Sequence, residues 1–453
     1  MKKLIIVLLI LNTINLISAK DSYLIKSKID NCPDLKNAYL YEYSYGNYNL
    51  IDTAIIKAGS FQFYFDRKNH PGIYKIRLSP DKVIENILFN FEDIELSADY
   101  EKIKQTINFT KSKENKLLHE YISYTENEKN REKALYYLLA LYNTEDILFA
   151  QIIEELERLK KYNREVIQGL IKENNTFLAA KYIQYEQFPF DSIHDNINQQ
   201  REYLTEHFWD NIDFLDNSLL YFPFYSTKID DYFTLFEHSG IDREEQERLF
   251  RIPADIIFQK TAVNEKVFEY TLDKILHDVD VFNLYDLYRY IAENYAKAAF
   301  CINVERMAEI DKKVSKIGSV SIGSPAPDFK IAEQLNLNDI KKEFTLIIFW
   351  DSACPYCYRT LNELKPVYEH LKSDKLEIVA VSLDTNARVF KKTILERGYN
   401  WINICDFKGW NSEIADSYNI SAIPSMFLLD KFKRIISRPV SVKQLKYKLQ
   451  IPK

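Results

Sequence analysis

From Tyr23 to about Tyr100, apolar and polar positions alternate with a period of two. Tyr39, Tyr41, Tyr43 and Tyr45 alternate with Ala38, Leu40, Glu42 and Ser44, and Phe61, Phe63 and Phe65 repeat the pattern after Gly59-Ser60. Tyr74, Ile76 and Leu78 follow Gly72, and Ile87, Phe89 and Phe91 supply another short run. Strands at this spacing, broken by turn residues, predict a small β-sandwich over residues 20–105. The tyrosine row reads as a half-buried strand face whose hydroxyls reach solvent; the alternative is an aromatic platform for a sugar ring.

From about Lys111 to Val314 the period becomes helical. Thr144 is placed to cap a helix that buries Ile152, Ile153, Leu156 and Leu159, and Asn264 to cap one carrying Phe268, Leu272, Ile275 and Leu276. Only Pro189, Pro223 and Pro253, with Gly169 and Gly240, interrupt this stretch, which suits packed helices over residues 106–316. The aromatic-rich run His207 to Phe233 reads as packing surface. Gly318, Gly323, Pro325 and Pro327 then crowd together in a chain with 9 glycines in 453 residues, marking a domain boundary. Beyond it, strands at Phe344–Trp350, Leu376–Leu383 and Met426–Leu429 and a helix at Leu361–Leu371 predict an α/β domain over residues 317–453.

Composition narrows the chemistry. Lys plus Arg is 60 and Asp plus Glu 66, a net charge of −6 with no basic run, so nucleic acid is not an expected partner. No GxGxxG or P-loop spacing exists, and the 7 histidines never reach HxxxH spacing, so no nucleotide cofactor and no metal is expected. Lys2, Lys3, the apolar run Leu4 to Leu11 and the small residues Ser18-Ala19 read as an export signal over residues 1–19. No cysteine follows it, which disfavours a lipid anchor. The expectation is a soluble chain outside the cytosol.

Of 5 cysteines, Cys354 and Cys357 form a CxxC, while Cys32, Cys301 and Cys405 stand alone in sequence. In FTLIIFWDSACPYCYRTLNEL a buried strand delivers Cys354 to a helix N-terminus, and Pro355 takes the first helical position, where a missing N–H costs nothing. Unpaired N–H groups and the helix dipole there favour a Cys354 thiolate. Cys357, three residues on, lies on the same face and within reach to close a disulfide. Cys354 is thus placed to attack a substrate disulfide and Cys357 to resolve the mixed disulfide. A structural disulfide and half a zinc site are the rival uses. The nearby His370 lies thirteen residues beyond Cys357, about 20 Å along a continuous helix.

These motifs carry a family resemblance. IGSPAPDF, FWDSACPYC and GWNSEIADSYNISAIPSMFLLD resemble the opening motif, active site and cis-proline segment of the thioredoxin-like TlpA/ResA-type thiol:disulfide oxidoreductases of the bacterial envelope, a branch related to AhpC/TSA proteins. The resemblance covers about 130 residues. It implies a thioredoxin fold, a periplasmic or envelope location, protein disulfides as substrates and a membrane-borne thiol donor. It further implies that Pro424, after Ile423, is a cis-proline beside the CxxC, exposing the Ile423 main chain to an extended substrate. Pro355, Tyr356 and Trp350 complete the implied substrate contacts. The first 100 residues and the run His207 to Phe233 resemble the β domain and helical spacer of related envelope proteins.

Three positions depart from the pattern. Ile348 stands where thioredoxin-type sites carry a buried Asp, Thr360 where ResA-like sites carry a Glu, and Ala353 where an aromatic residue is usual. The proton acceptor for Cys357 is left between Asp351, Glu363 and water. Electron flow is expected toward reduction of envelope disulfides; oxidase or isomerase action, a peroxiredoxin and a non-catalytic binding protein are the alternatives. A peroxiredoxin normally places its cysteine in PxxxTxxC, and no proline precedes Cys354 at that spacing.

Overall fold

The computed structural model describes residues 22–189, 197–238, 240–297, 304–373 and 375–451. The export signal read over residues 1–19 and the lone Cys301 lie outside the described residues. The chain divides into two compact units: Met1–Asp195 with Trp209–Ile212 and Leu220–Tyr225, and Asn196–Phe208 with Asp213–Leu219 and Ser226–Lys453.

The first unit opens with eight strands, β1 (Tyr23–Asp30), β2 (Asn37–Ser44), β3 (Asn47–Ile55), β4 (Ser60–Phe65), β5 (Gly72–Ser79), β6 (Lys82–Phe89), β7 (Ile94–Asp99) and β8 (Asn108–Lys111). They form two sheets, ordered β4-β1-β7-β8 and β3-β2-β5-β6, whose inward residues share one core. Ile25, Phe63 and Leu96 enter it from one sheet and Leu40, Ile76 and Ile87 from the other. Strand β8 lies past residue 105 because a helical turn, α1 (Ile103–Thr106), separates it from β7.

The tyrosine row does not keep one face. A register shift between Leu40 and Tyr41 ends the strict alternation, so Tyr43 turns inward at 5 % exposure while Tyr39 and Tyr41 stay half-buried. Arg77 lies over both of those rings, and Lys75 over Tyr41 and Tyr48. Cations already lie against the rings of Tyr39, Tyr41 and Tyr48.

Helices α2 (Lys113–Leu139), α3 (Ile147–Glu173) and α4 (Leu178–Glu186) follow in this unit. Asn115, buried in the first turn of α2, exchanges hydrogen bonds with both main-chain groups of Leu88 and so ties the helix to β6. Thr144 is not the cap of α3: that position falls to Asp146, whose carboxylate accepts from Asn143 N. Ile152, Leu156 and Leu159 are buried as their spacing predicts.

Helices α5 (Ile197–His207), α6 (Pro223–Thr234), α7 (Arg243–Thr261), α8 (Glu265–Val281), α9 (Tyr285–Ile291) and α10 (Val304–Ser319) follow, α6 beginning in the first unit. Asn264 caps α8 as expected, accepting from Lys266 N and Val267 N. Pro253 sits inside α7 rather than interrupting it. Helix α10 runs to Ser319, slightly past the boundary placed at residue 316.

The α/β domain begins with the short strands β9 (Lys330–Ala332) and β10 (Leu335–Asn336). Its main sheet contains β11 (Phe344–Trp350), β12 (Leu376–Ser382), β13 (Ile402–Cys405), β14 (Ser425–Leu429) and β15 (Ile435–Ser437), in the order β13-β12-β11-β14-β15. Strands β11, β12 and β13 are parallel, and β14 and β15 antiparallel. The apolar run Leu346–Trp350 of β11, buried throughout, suits its central place, since both faces of a parallel strand are covered. Helices α11 (Pro355–Leu371), α12 (Ala387–Arg397), α13 (Glu413–Ser417) and α14 (Val442–Lys448) complete it.

Candidate active site

The CxxC sits where β11 hands over to α11. After Trp350 the chain turns through Asp351-Ser352-Ala353, held by Asp351, whose carboxylate accepts from Ala353 N at 2.6 Å and whose carbonyl accepts from Cys354 N at 3.1 Å. Cys354 is the N-cap of α11, Pro355 the first helical residue, and Sγ of Cys354 accepts from Cys357 N at 3.1 Å. A sulfur placed on free helical N–H groups is held where negative charge is favoured. Cys354 and Cys357 are joined as a disulfide, with 5.3 Å between their Cα atoms.

The two sulfurs are not equivalent. Cys357 is fully buried and Cys354 half-exposed, so only Cys354 is open to attack from solvent. Pro355 and Tyr356 are exposed beside it, Tyr356 at 70 %. The Ile423–Pro424 bond is cis. Strands β11 and β14 pair Ile348 with Met426 and Phe349 with Ser425. Pro424 directly precedes Ser425, the first residue of β14, and Phe349 lies one residue before the end of β11. Ile423 and Pro424 are both half-exposed.

Two sequence-derived assignments are corrected. Trp350 has no exposed surface; its ring packs against Phe390 and Tyr399 in the core, so it supports the turn from behind and cannot contact a substrate. Glu363 is exposed and sits six residues beyond the buried Cys357. At 100° per residue that is a different face of α11, so it is not placed to take a proton from Cys357. Asp351 stays at the turn, occupied by Ala353 N. The hydroxyl of Thr360, where a Glu was the usual residue, bonds back to the Tyr356 carbonyl at 3.2 Å.

The structure brings in a carboxylate that sequence reasoning missed. Asp384, 6 % exposed, accepts from the hydroxyls of Ser352 at 2.7 Å and Ser382 at 2.6 Å. The Cys405 thiol donates to the Asp384 carbonyl at 3.2 Å. Trp350, Ser382 and Cys405 are in register across three parallel strand ends, so this cluster lies along the carboxyl edge of the sheet, behind the CxxC turn. Open parallel sheets bind ligands at that edge, the one signal in the sequence that marks Asp384. Burial pushes the Cys405 thiol above its ordinary pKa, so it is held as the neutral thiol. Burial likewise raises Cys32, which is free and half-buried.

Residues 322–438 match the AhpC/TSA family. The thiol-disulfide oxidoreductase ResA of Bacillus subtilis is 26 % identical over 122 residues, 26 % of this chain and 66 % of that one. ResA of Geobacillus kaustophilus is 27 % identical over 142 residues, 29 % of this chain and 78 % of that one. A thioredoxin-like protein of Bacteroides caccae, 22 % identical, aligns with a TM-score of 0.44 over 59 % of this chain and 99 % of its own. The opening motif, the CxxC at a helix start and the cis-proline strand fall together inside the matched segment, and residues 322–438 form a thioredoxin-like domain that matches the AhpC/TSA family and is similar to the ResA thiol-disulfide oxidoreductases.

Proposed function

We propose that this chain is exported to the bacterial envelope and there reduces disulfides of other proteins through Cys354 and Cys357. The observation that carries the reading is the asymmetric pair itself: a half-exposed sulfur at a helix N-terminus, bonded to a fully buried one a helical turn away. In the dithiol form the Cys354 thiolate attacks one sulfur of the substrate disulfide and expels the other as a thiolate. Cys357, deprotonated, then attacks Sγ of Cys354, forms the internal disulfide and releases the substrate as a dithiol. Two electrons pass to the substrate, and the two thiol protons of the pair end on the released thiols. Ile423, half-exposed as a residue, offers its main chain as a pairing edge for an extended substrate, and the exposed Pro355 and Tyr356 adjoin Cys354 in sequence. A thiol donor at the membrane, outside this chain, returns the pair to the dithiol.

An oxidase or isomerase direction is the second reading, favoured by one feature. Ile348, fully buried, stands where a carboxylate would disfavour the Cys354 thiolate, and a more stable thiolate makes the disulfide more oxidising. Equilibration with glutathione buffers separates the two directions. A potential near −200 to −270 mV supports a reductant, whereas one near about −120 mV replaces it with an oxidant. Activity itself is tested by insulin reduction with dithiothreitol as donor, expected for the full chain and absent in Cys354→Ser. Equal rates in the two proteins would leave a binding protein that only borrows the fold.

A further inference from the structure

The stretch that leads into the cis-proline is gripped from outside the α/β domain. At the corner between α8 and α9, Asn283 is 9 % exposed and Tyr285 1 % exposed. The Tyr285 hydroxyl donates to the Asn419 carbonyl, and the Ser421 hydroxyl donates to the Asp280 carbonyl at 2.8 Å. The side-chain amide of Asn283 lies between them, 2.7 Å from the Tyr285 hydroxyl and 3.0 Å from that of Ser421. Both hydroxyls reach the same Asn283 Oδ1, so this one acceptor ties Tyr285 to Ser421. Arg438 covers the Tyr285 ring from 4.7 Å, and Glu247 accepts from Leu287 N, fixing the start of α9. Asn283 and Asn419 both hold a left-handed backbone, with φ of 56° and 54°, a conformation asparagine tolerates better than most residues.

We propose that Asn283 and Tyr285 are positioning residues for substrate recognition: they clamp Asn419 and Ser421 and so hold the Ile423 main chain in the register at which a substrate strand pairs. The inference rests on the reading of Ile423–Pro424 as the substrate-pairing edge. Segment 421–424 is half-exposed throughout, and the junction with α8 and α9 supplies buried anchors just ahead of it. The helical segment thereby acts on the affinity for extended polypeptide disulfides and leaves the chemistry at Cys354 alone.

The test uses the full chain and two variants that each delete one part of the clamp. Tyr285→Phe removes one hydroxyl, and Asn283→Gly keeps the left-handed backbone accessible while removing the shared side-chain acceptor. Each is expected to raise KM for insulin by about fivefold, with kcat, the rate on dithiobis(nitrobenzoate) and the alkylation rate of Cys354 within about twofold of wild type. Hydrogen exchange of the peptide spanning residues 419–424 should quicken in both. Unchanged KM and exchange would overturn the proposal, as would equal losses on insulin and the small disulfide, which mark a merely structural role. If Asn283→Gly fails to fold, Tyr285→Phe decides alone. A wild-type chain inert on both disulfides would defeat the oxidoreductase reading, and the exchange measurement would still report whether the clamp holds the segment.

Discussion

Replacing Arg438 by methionine should cost more than almost any surface-charge change in this chain. Arg438 follows β15 and is 2 % exposed; its guanidinium lies 3.6 Å from Glu247, which is fully buried, and 3.6 Å from Asp286. A charge pair at that distance is worth about 4–5 kcal/mol at an effective dielectric constant of about 20. Methionine fills the space over Tyr285 but leaves the Glu247 carboxylate buried without its main counter-charge, so we predict a loss of about 3–5 kcal/mol at neutral pH. The loss should depend on pH. Burial already pushes the Glu247 carboxyl above its ordinary pKa, with Arg438, the Leu287 N–H and Arg243 pulling it down and Asp286 adding to the rise. Without Arg438 it rises further. A carboxyl raised in the folded state stabilises the fold at low pH and loses that contribution as pH climbs through the folded value. The penalty of the variant should therefore be full near pH 7.5 and shrink as pH falls toward the ordinary carboxylate range. Urea unfolding followed by tryptophan fluorescence measures it, since Trp350, Trp401 and Trp410 all lie in the α/β domain. Adding Glu247→Gln should restore most of the loss. A loss below about 1 kcal/mol, or one independent of pH, would refute the assignment of Arg438 as the counter-charge.

Further outcomes follow from the same geometry. Rapid alkylation of the reduced protein at mildly acidic pH should label Cys354 first; preferential labelling of Cys357 in the peptide masses would reverse the roles. Asp384→Ala strips two serine hydroxyls of their acceptor and should destabilise the domain by about 3 kcal/mol in urea unfolding, while Asp384→Asn costs less. A fragment beginning at residue 320 should retain disulfide exchange but melt below the full chain. In that fragment Arg438→Met should change stability by less than about 1 kcal/mol, because Glu247 and Asp286 are gone; a penalty as large as in the full chain would show that the ion pairs are not its cause.

What could be read from the sequence was what depends on local period and local chemistry. Phe61, Phe63 and Phe65 declare a buried strand face because side chains alternate. The CPYC turn declares itself because proline at the first helical position and an apolar strand before it are local facts. The parallel pairing of β1 with β7 joins segments about seventy residues apart and leaves no periodic trace. The register shift at Leu40 and Tyr41 is invisible for a related reason, since it depends on what β3 presents opposite. Trp350 is misleading in sequence because an aromatic four residues before a reactive cysteine looks the same whether it faces solvent or the core. Asp384 and Arg438 sit in runs that look like ordinary strand ends. Their meaning comes from Ser352, Glu247 and Asp286, each brought to them by the tertiary fold.

The central claim is that Cys354 attacks and Cys357 resolves. It is tested most directly by mixing the reduced full-length chain with a disulfide-linked peptide and weighing the products without reducing agent. In Cys357→Ser the account predicts a stable adduct, heavier by one peptide strand and mapped to Cys354, that dithiothreitol releases. Cys354→Ser should give no adduct, and wild type should end as the internal disulfide with the peptide reduced. An adduct on Cys357 in Cys354→Ser at comparable rate, or none in Cys357→Ser, would contradict it.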